Sequence, residues 1–132
     1  MGATMGDHWK LVQAMNRASA EGRWDDFASC LAADVTAWSP AYDLQGQSAF
    51  VEAIQAQNAA FDDIQIDNRL IAESDRSVAF EWTWSIPHPS GSGRAALNGM
   101  SALEVTDGAI SSIRQYWDNA SFGQALEAEH GV

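Results

Sequence analysis

The sequence predicts an α+β domain, with helices in its first half laid on one face of antiparallel strands formed by its second half. Three observations carry that prediction. Up to about Ala60 the apolar residues recur at helical spacing, and from Ile64 onward they alternate with period two. Between the alternating segments lie two hairpin signals, the polar run Pro87 to Gly93 and the pair Asp107-Gly108. A chain of 132 residues, 46% apolar and 19% charged, has the length of one domain, residues 1–132, and enough apolar side chains for a core.

The elements follow in order. Asp7 is placed to cap a first helix that runs to about Glu21, with Leu11, Met15 and Ala18 on one stripe and Gly22 ending it. Asp25 and Asp26 mark the first turn of a second, short helix, where the helix dipole favours negative charge; Trp24, Phe27, Ala28 and Leu31 form its apolar side. Val35 to Trp38 reads as a short strand that Pro40 stops. Gly46 to about Ala60 is helical, with Phe50, Ile54 and Phe61 inward. Ile64, Ile66, Asn68 and Leu70 share one face of the next strand. Val78, Phe80, Trp82, Trp84 and Ile86 then face one way while Ser77, Ala79, Glu81, Thr83 and Ser85 face the other, the cleanest alternation in the chain. Leu97, Gly99, Ser101, Leu103 and Val105 mark one face of a third strand, Ile110 to Trp117 form a fourth, and Ser121 to Glu127 add a helical turn or two. The Asp107-Gly108 hairpin has two readings. A three-residue turn with a bulge keeps Ser101, Ile113, Gln115 and Trp117 on one face. A two-residue turn puts Arg114, Tyr116 and Asp118 there instead. The apolar pattern favours the former.

Composition excludes several classes of function. Seven Lys plus Arg against eighteen Asp plus Glu give a net charge of −11, which repels phosphate backbones and anionic lipid, so neither nucleic acid nor a membrane is expected as a partner. No apolar run approaches the roughly 20 residues of a membrane span, and Met1 to Asp7 has neither the basic start nor the apolar core of a signal peptide. The single Cys30 has no partner for an internal disulfide, so a cytoplasmic setting is expected. His8, His88 and His130 are far apart, and no metal-site spacing, phosphate-binding loop or Gly-x-Ser-x-Gly elbow occurs. No metal or cofactor is expected.

Three segments carry a family resemblance: Ala20-Glu21-Gly22-Arg23-Trp24-Asp25-Asp26-Phe27 followed by Leu31-Ala32-Ala33-Asp34-Val35; Gly46-Gln47-Ser48-Ala49-Phe50; and Asp107-Gly108-Ala109-Ile110 leading to Arg114-Gln115-Tyr116-Trp117-Asp118. Their order resembles the nuclear transport factor 2-like, or SnoaL-like, superfamily, which includes ketosteroid isomerase, limonene epoxide hydrolase and polyketide cyclases. The resemblance implies a cone: a curved antiparallel sheet with helices over its concave face, enclosing an apolar pocket, commonly in a homodimer. It also implies site positions. The general-base Asp of the isomerases falls at Ser39, and their oxyanion-binding Tyr at Met15. Their protonated Asp, and the His of the cyclases, fall at about Ser101. The acidic residue of the cyclases and the epoxide hydrolase falls at Gln115, and the hydrolase's Arg-x-Asp pair at Trp82 and Trp84. Each of these positions is un-ionisable in this chain.

Six Trp in so short a chain are either core or a broad aromatic wall for a flat apolar ligand. Trp38, Trp82, Trp84 and Trp117 are expected to face the cone interior. Gln115 and Asn68, each between apolar neighbours, are either satisfied structural amides or groups that orient a carbonyl. Asp118 is either a helix cap or the sole carboxylate near the pocket. The expected function is that of a cofactor-independent isomerase, cyclase or hydrolase. Its substrate would be an apolar, polycyclic polyketide, steroid or terpenoid-like molecule. Asp118 and Gln115 are the candidate catalytic residues, and Met15, Trp38, Ser39, Trp82, Trp84, Ser101 and Trp117 the candidate binding residues. The alternative is a non-catalytic carrier of an apolar ligand. A homodimer is expected through the sheet face opposite the Trp residues, where Glu81, Glu104 and Arg114 come near one another.

Overall fold

The computed structural model of the protein describes residues 6–127. His130 and the segment from Met1 to Met5 lie outside the described residues. Helices α1 (Asp7–Glu21) and α2 (Trp24–Ser29) lead into a short hairpin, β1 (Leu31–Ser39) and β2 (Tyr42–Gln45). Helix α3 (Gln47–Ala59) follows, then β3 (Gln65–Glu73), β4 (Ser77–Pro87), β5 (Arg94–Thr106), β6 (Ala109–Trp117) and α4 (Asn119–Glu127). The six strands form one curved, unclosed sheet in the order β2-β1-β6-β5-β4-β3. Only β1 against β6 is parallel; α2, α1 and α3 lie over one face. Among the described residues no helix is long and apolar enough to cross a membrane.

Strand parity builds the core. Val78, Phe80, Trp84 and Ile86 of β4 are buried, as are Ala95, Ser101, Leu103 and Val105 of β5. Val78, Phe80, Leu103 and Val105 meet Val12, Met15 and Ala18 of α1, Phe27 of α2, and Phe50 and Ile54 of α3, while Trp84, Ile86 and Ala95 form a second cluster with Phe61, Ile64 and Ile66. Polar links hold α1 at three points along its length, to the sheet side at its start and middle and to α3 at its end. At its start Glu73 Oε2 accepts the Gly6 N–H at 2.9 Å, and His8 Nε2 donates to the Asp75 carbonyl at 2.7 Å. At its middle Asn16 Nδ2 donates to Asn68 Oδ1 at 3.1 Å. At its end Asn58 Nδ2, on α3, donates to Ser19 O and Oγ at 3.0 and 3.1 Å.

Several expectations are corrected. Gly6, not Asp7, occupies the cap of α1, at φ 96°, and Asp7 is the first helical residue. Val12 rather than Leu11 is fully buried on that helix. Leu31 begins β1 instead of ending α2, because its strand starts early alongside Ile110. Strand β2 has no counterpart among the elements expected from the sequence. On β3, Leu70 pairs with inward-facing Phe80 but stays 39% exposed, and Ile71 bulges out at 49%.

The last hairpin combines both of its readings. Thr106 pairs with Ala109 across a two-residue turn with Asp107 and Gly108 at φ 52° and 79°, the left-handed pair that such turns require. The bulge lies further along: Val105 pairs with Ile110 but Glu104 with Ser112, so Ser111 is the extra residue. That one residue restores the parity that puts Leu103 opposite Ile113, Ser101 opposite Gln115 and Gly99 opposite Trp117.

Candidate functional site

Between the sheet and the helices lies a cavity of about 230 Å³. Its wall is Met15, Asn16 and Ser19 of α1, Phe27 of α2, Tyr42 of β2, Phe50, Ile54, Gln57 and Asn58 of α3, Phe61 beyond it, and inward residues of β3 to β6. Among the described residues that line it, none is Asp, Glu, Lys, Arg or His. Also among the described residues, no three His, Cys, Asp or Glu side chains gather where they could hold a metal ion.

Trp82, Trp84 and Trp117 line this cavity rather than fill it. The arrangement turns on Gly99. Trp82 and Trp117 are both cross-strand partners of Gly99, from opposite sides. A Cβ there would lie 2.6 Å from Trp82 Cη2 and 2.6 Å from the Tyr116 carbonyl oxygen. The bare backbone therefore lets the Trp82 indole lie across β5. Its Nε1 donates to Ser101 Oγ at 2.9 Å, and Trp117 meets it edge-on at 5.9 Å. Trp84, 8% exposed, packs edge-on against Phe61 at 5.1 Å. Arg94 fixes the loop that carries Phe61: it donates to Asp63 Oδ2 at 2.9 Å, to Asp63 O, and to Ser85 O at 2.9 Å. Asp63 thus clamps this loop to β4 and β5 through Arg94.

The polar groups among the described wall residues are neutral, and several are paired. Gln115 Nε2 donates to the Tyr42 hydroxyl at 2.9 Å, and the Ser39 side chain hydrogen-bonds the same hydroxyl. Burial pushes the Tyr42 phenol up to about 12, against the pull of those two hydrogen bonds, so it is a neutral donor at ordinary pH. Burial likewise pushes the Cys30 thiol up, and its Sγ sits 3.4 Å from the Asp26 carbonyl, a packed thiol rather than a nucleophile.

Of the residues singled out from sequence, Met15, Trp82, Trp84, Ser101, Gln115 and Trp117 come together on the cavity wall. Three do not. Trp38 points to the other side of the sheet, 40% exposed and 5.3 Å from the Tyr116 ring. Adjacent strand residues face opposite ways, so Trp38 and Ser39 could never both face inward, and Ser39 is the one that does. Ser39 is 3% exposed, but it sits behind Tyr42 and outside the lining. Asp118 is exposed at the end of β6, and its Oδ1 accepts the Ala120 N–H at 2.9 Å. That contact caps α4, and the carboxylate is not on the wall.

Sequence reasoning missed Tyr42 and the Asn16–Asn68 pair. The signal for Tyr42 was present. Pro40-Ala41 between Ser39 and Tyr42 is a two-residue turn, and the pairing of Ser39 with Tyr42 gives them a shared face.

A SnoaL-like domain family model matches residues 12–113. A candidate polyketide cyclase from Xanthomonas campestris pv. campestris is 24% identical, with a TM-score of 0.78 over 91% of this chain and 96% of that one. An epoxide hydrolase of M. tuberculosis, of limonene epoxide hydrolase type, is 18% identical, with a TM-score of 0.70 over 89% and 87%. A candidate ketosteroid isomerase from Kribbella flavida is 26% identical, with a TM-score of 0.67 over 83% and 76%. No match is found among curated proteins.

Two outcomes are expected. Gly99→Ala should displace the Trp82 indole and cost about 1–3 kcal/mol in chemical denaturation, with a change in Trp emission; an unaltered variant would contradict the packing. Tyr42 should ionise with a midpoint of about 12, read as the wild-type phenolate absorbance minus that of Tyr42→Phe. Below the unfolded value of 10 the phenol is neutral in both folded and unfolded chains. Between that value and the folded one, only the unfolded chain ionises. Stability should therefore fall as pH rises through this window, by at most about 1.4 kcal/mol per unit, and less in Tyr42→Phe.

Proposed function

We infer, for a chain that belongs to the SnoaL-like domain family, that its cavity takes a small, flat, largely apolar molecule and acts on it without a cofactor, as an isomerase, cyclase or hydrolase. One observation carries this reading: the cavity is walled by three indoles and has no charged lining residue among those described. Such a wall rewards burial of apolar ligand surface and strengthens each neutral hydrogen bond inside it. Size narrows the substrate. A cavity of about 150 Å³ holds benzene, so about 230 Å³ takes roughly two fused rings. A four-ring substrate would leave part of itself outside the mouth. The chemistry available is positioning, desolvation and neutral hydrogen bonding. With Asp118 turned away as a helix cap, the wall groups have no carboxylate among them to act as base.

That same lack of an acid–base pair favours a second reading, a carrier that binds such a molecule and releases it unchanged. Turnover separates the two. The protein would be incubated with a panel of bicyclic and polycyclic ketones and epoxides, followed by native mass spectrometry and product chromatography. Product formation supports the enzyme, and bound but unchanged compound supports the carrier. Failure of every compound to bind would contradict both.

We also propose a homodimer through the outer sheet face, in a cytoplasmic setting suited to the buried thiol of Cys30. Beside the polar contact expected around Glu81, Glu104 and Arg114, this face carries an apolar patch. Trp38, Tyr116 and Met100 are neighbours there, at 40, 44 and 42% exposure, with Met100 paired to Tyr116. Trp38→Glu should convert a dimer into a monomer in light scattering at micromolar concentration. A wild-type monomer, or an unchanged dimer in the variant, would contradict this interface.

A further inference from the structure

We propose that the Tyr42 hydroxyl donates a hydrogen bond to a carbonyl oxygen of the cavity ligand, which makes that ligand a small aryl ketone or a related carbonyl compound. The proposal rests on the reading of the cavity as a small-molecule site and names the group that recognises its occupant.

The geometry is as follows. The Tyr42 ring forms part of the cavity wall, edge-on to Phe50 at 6.1 Å and to Trp117 at 6.5 Å, which fixes its plane. Its position along the wall is fixed by the hairpin, because Tyr42 is the cross-strand partner of Ser39. A phenol oxygen has two lone pairs and one proton. Gln115 Nε2 donates to that oxygen at 2.9 Å. Ser39 is the other polar neighbour of this hydroxyl, and its own oxygen accepts the Ala41 N–H at 3.1 Å. With Gln115 donating to the oxygen, the phenolic proton is the group left to give, and that donation makes it a better donor by polarising the O–H bond.

Three other pairs of polar groups on the wall are engaged with one another. Ser101 Oγ accepts from Trp82, Asn68 Oδ1 accepts from Asn16, and Asn58 donates to Ser19. Tyr42 is also held neutral well beyond ordinary pH, so it offers a proton throughout the working range. A neutral donor in an apolar wall suits an acceptor without a formal charge. A carbonyl on a flat ring system meets that description, and a bare hydrocarbon of the same shape forfeits the contact.

The test uses 1-tetralone and tetralin, one bicyclic frame with and without the carbonyl, titrated calorimetrically into the full chain. Wild-type protein should bind 1-tetralone roughly three- to tenfold more tightly than tetralin, and Tyr42→Phe should bring that ratio to about one. In parallel, the carbonyl carbon of labelled 1-tetralone should move downfield in the magnetic resonance spectrum on binding wild-type protein. This second measurement decides the matter if Tyr42→Phe does not fold. Equal affinities in the wild type, a preference that survives Tyr42→Phe, or an unmoved carbonyl resonance would overturn the proposal while leaving the apolar cavity intact. If neither compound binds, the small-molecule reading of the cavity fails and this assignment falls with it.

Discussion

The cavity depends on one contact, the Trp82 indole lying across the bare backbone of Gly99 with its N–H held by Ser101. Remove the space at Gly99 and the indole has to lift toward the helices, into the room now left between sheet and helices. With the indole flat, Trp117 can approach it edge-on from the other side, and the two rings make a floor that spans β4, β5 and β6. The hydrogen bond matters as much as the fit. A buried indole N–H without a partner would cost free energy, and Ser101, itself 2% exposed, gains a partner in the same stroke. The residues on either side of Ser101 in the pairing, Phe80 and Gln115, then face the same volume.

The second constraint is parity, and it is set at a distance. Ser111, one extra residue in β6, decides that Gln115 rather than Arg114 lies opposite Ser101. Without that shift the guanidinium of Arg114 and the ring of Tyr116 would point toward the helices. Instead they lie outside with Trp38, and the interior keeps only neutral hydrogen-bonding groups. The absence of charge among the described wall residues is therefore a consequence of strand register as much as of composition. The outer face collects the displaced aromatic surface, which links the geometry of the cavity to the apolar patch on the opposite side of the sheet.

Much of this was legible in the chain because period-two alternation is a direct statement about which side chains share a face. Val78 to Ile86 and Leu97 to Val105 gave their inward faces residue by residue. For Trp38, bulk and alternation point opposite ways, and alternation wins: Val35, Ala37 and Ser39 form the inward set. Tyr42 was hidden by brevity. A four-residue strand after a proline offers too few positions for a period to emerge. Asp118 was ambiguous for a different reason. It stands at the junction of strand and helix, where the parity of β6 turns it outward and the free N–H groups of α4 claim its carboxylate. The family resemblance indicated where catalytic groups sit in relatives, but this chain's own residues at those positions are neutral, so its chemistry has to be read from the wall itself.

The most direct measurement is a crystal structure of the protein under xenon pressure. Xenon enters apolar cavities that are empty of ordered water and reports their position without any assumption about the natural ligand. A strong xenon peak is expected among Trp82, Trp84, Trp117 and Phe61. Continuous side-chain density through that volume, or a chain of ordered waters in place of xenon, would contradict it.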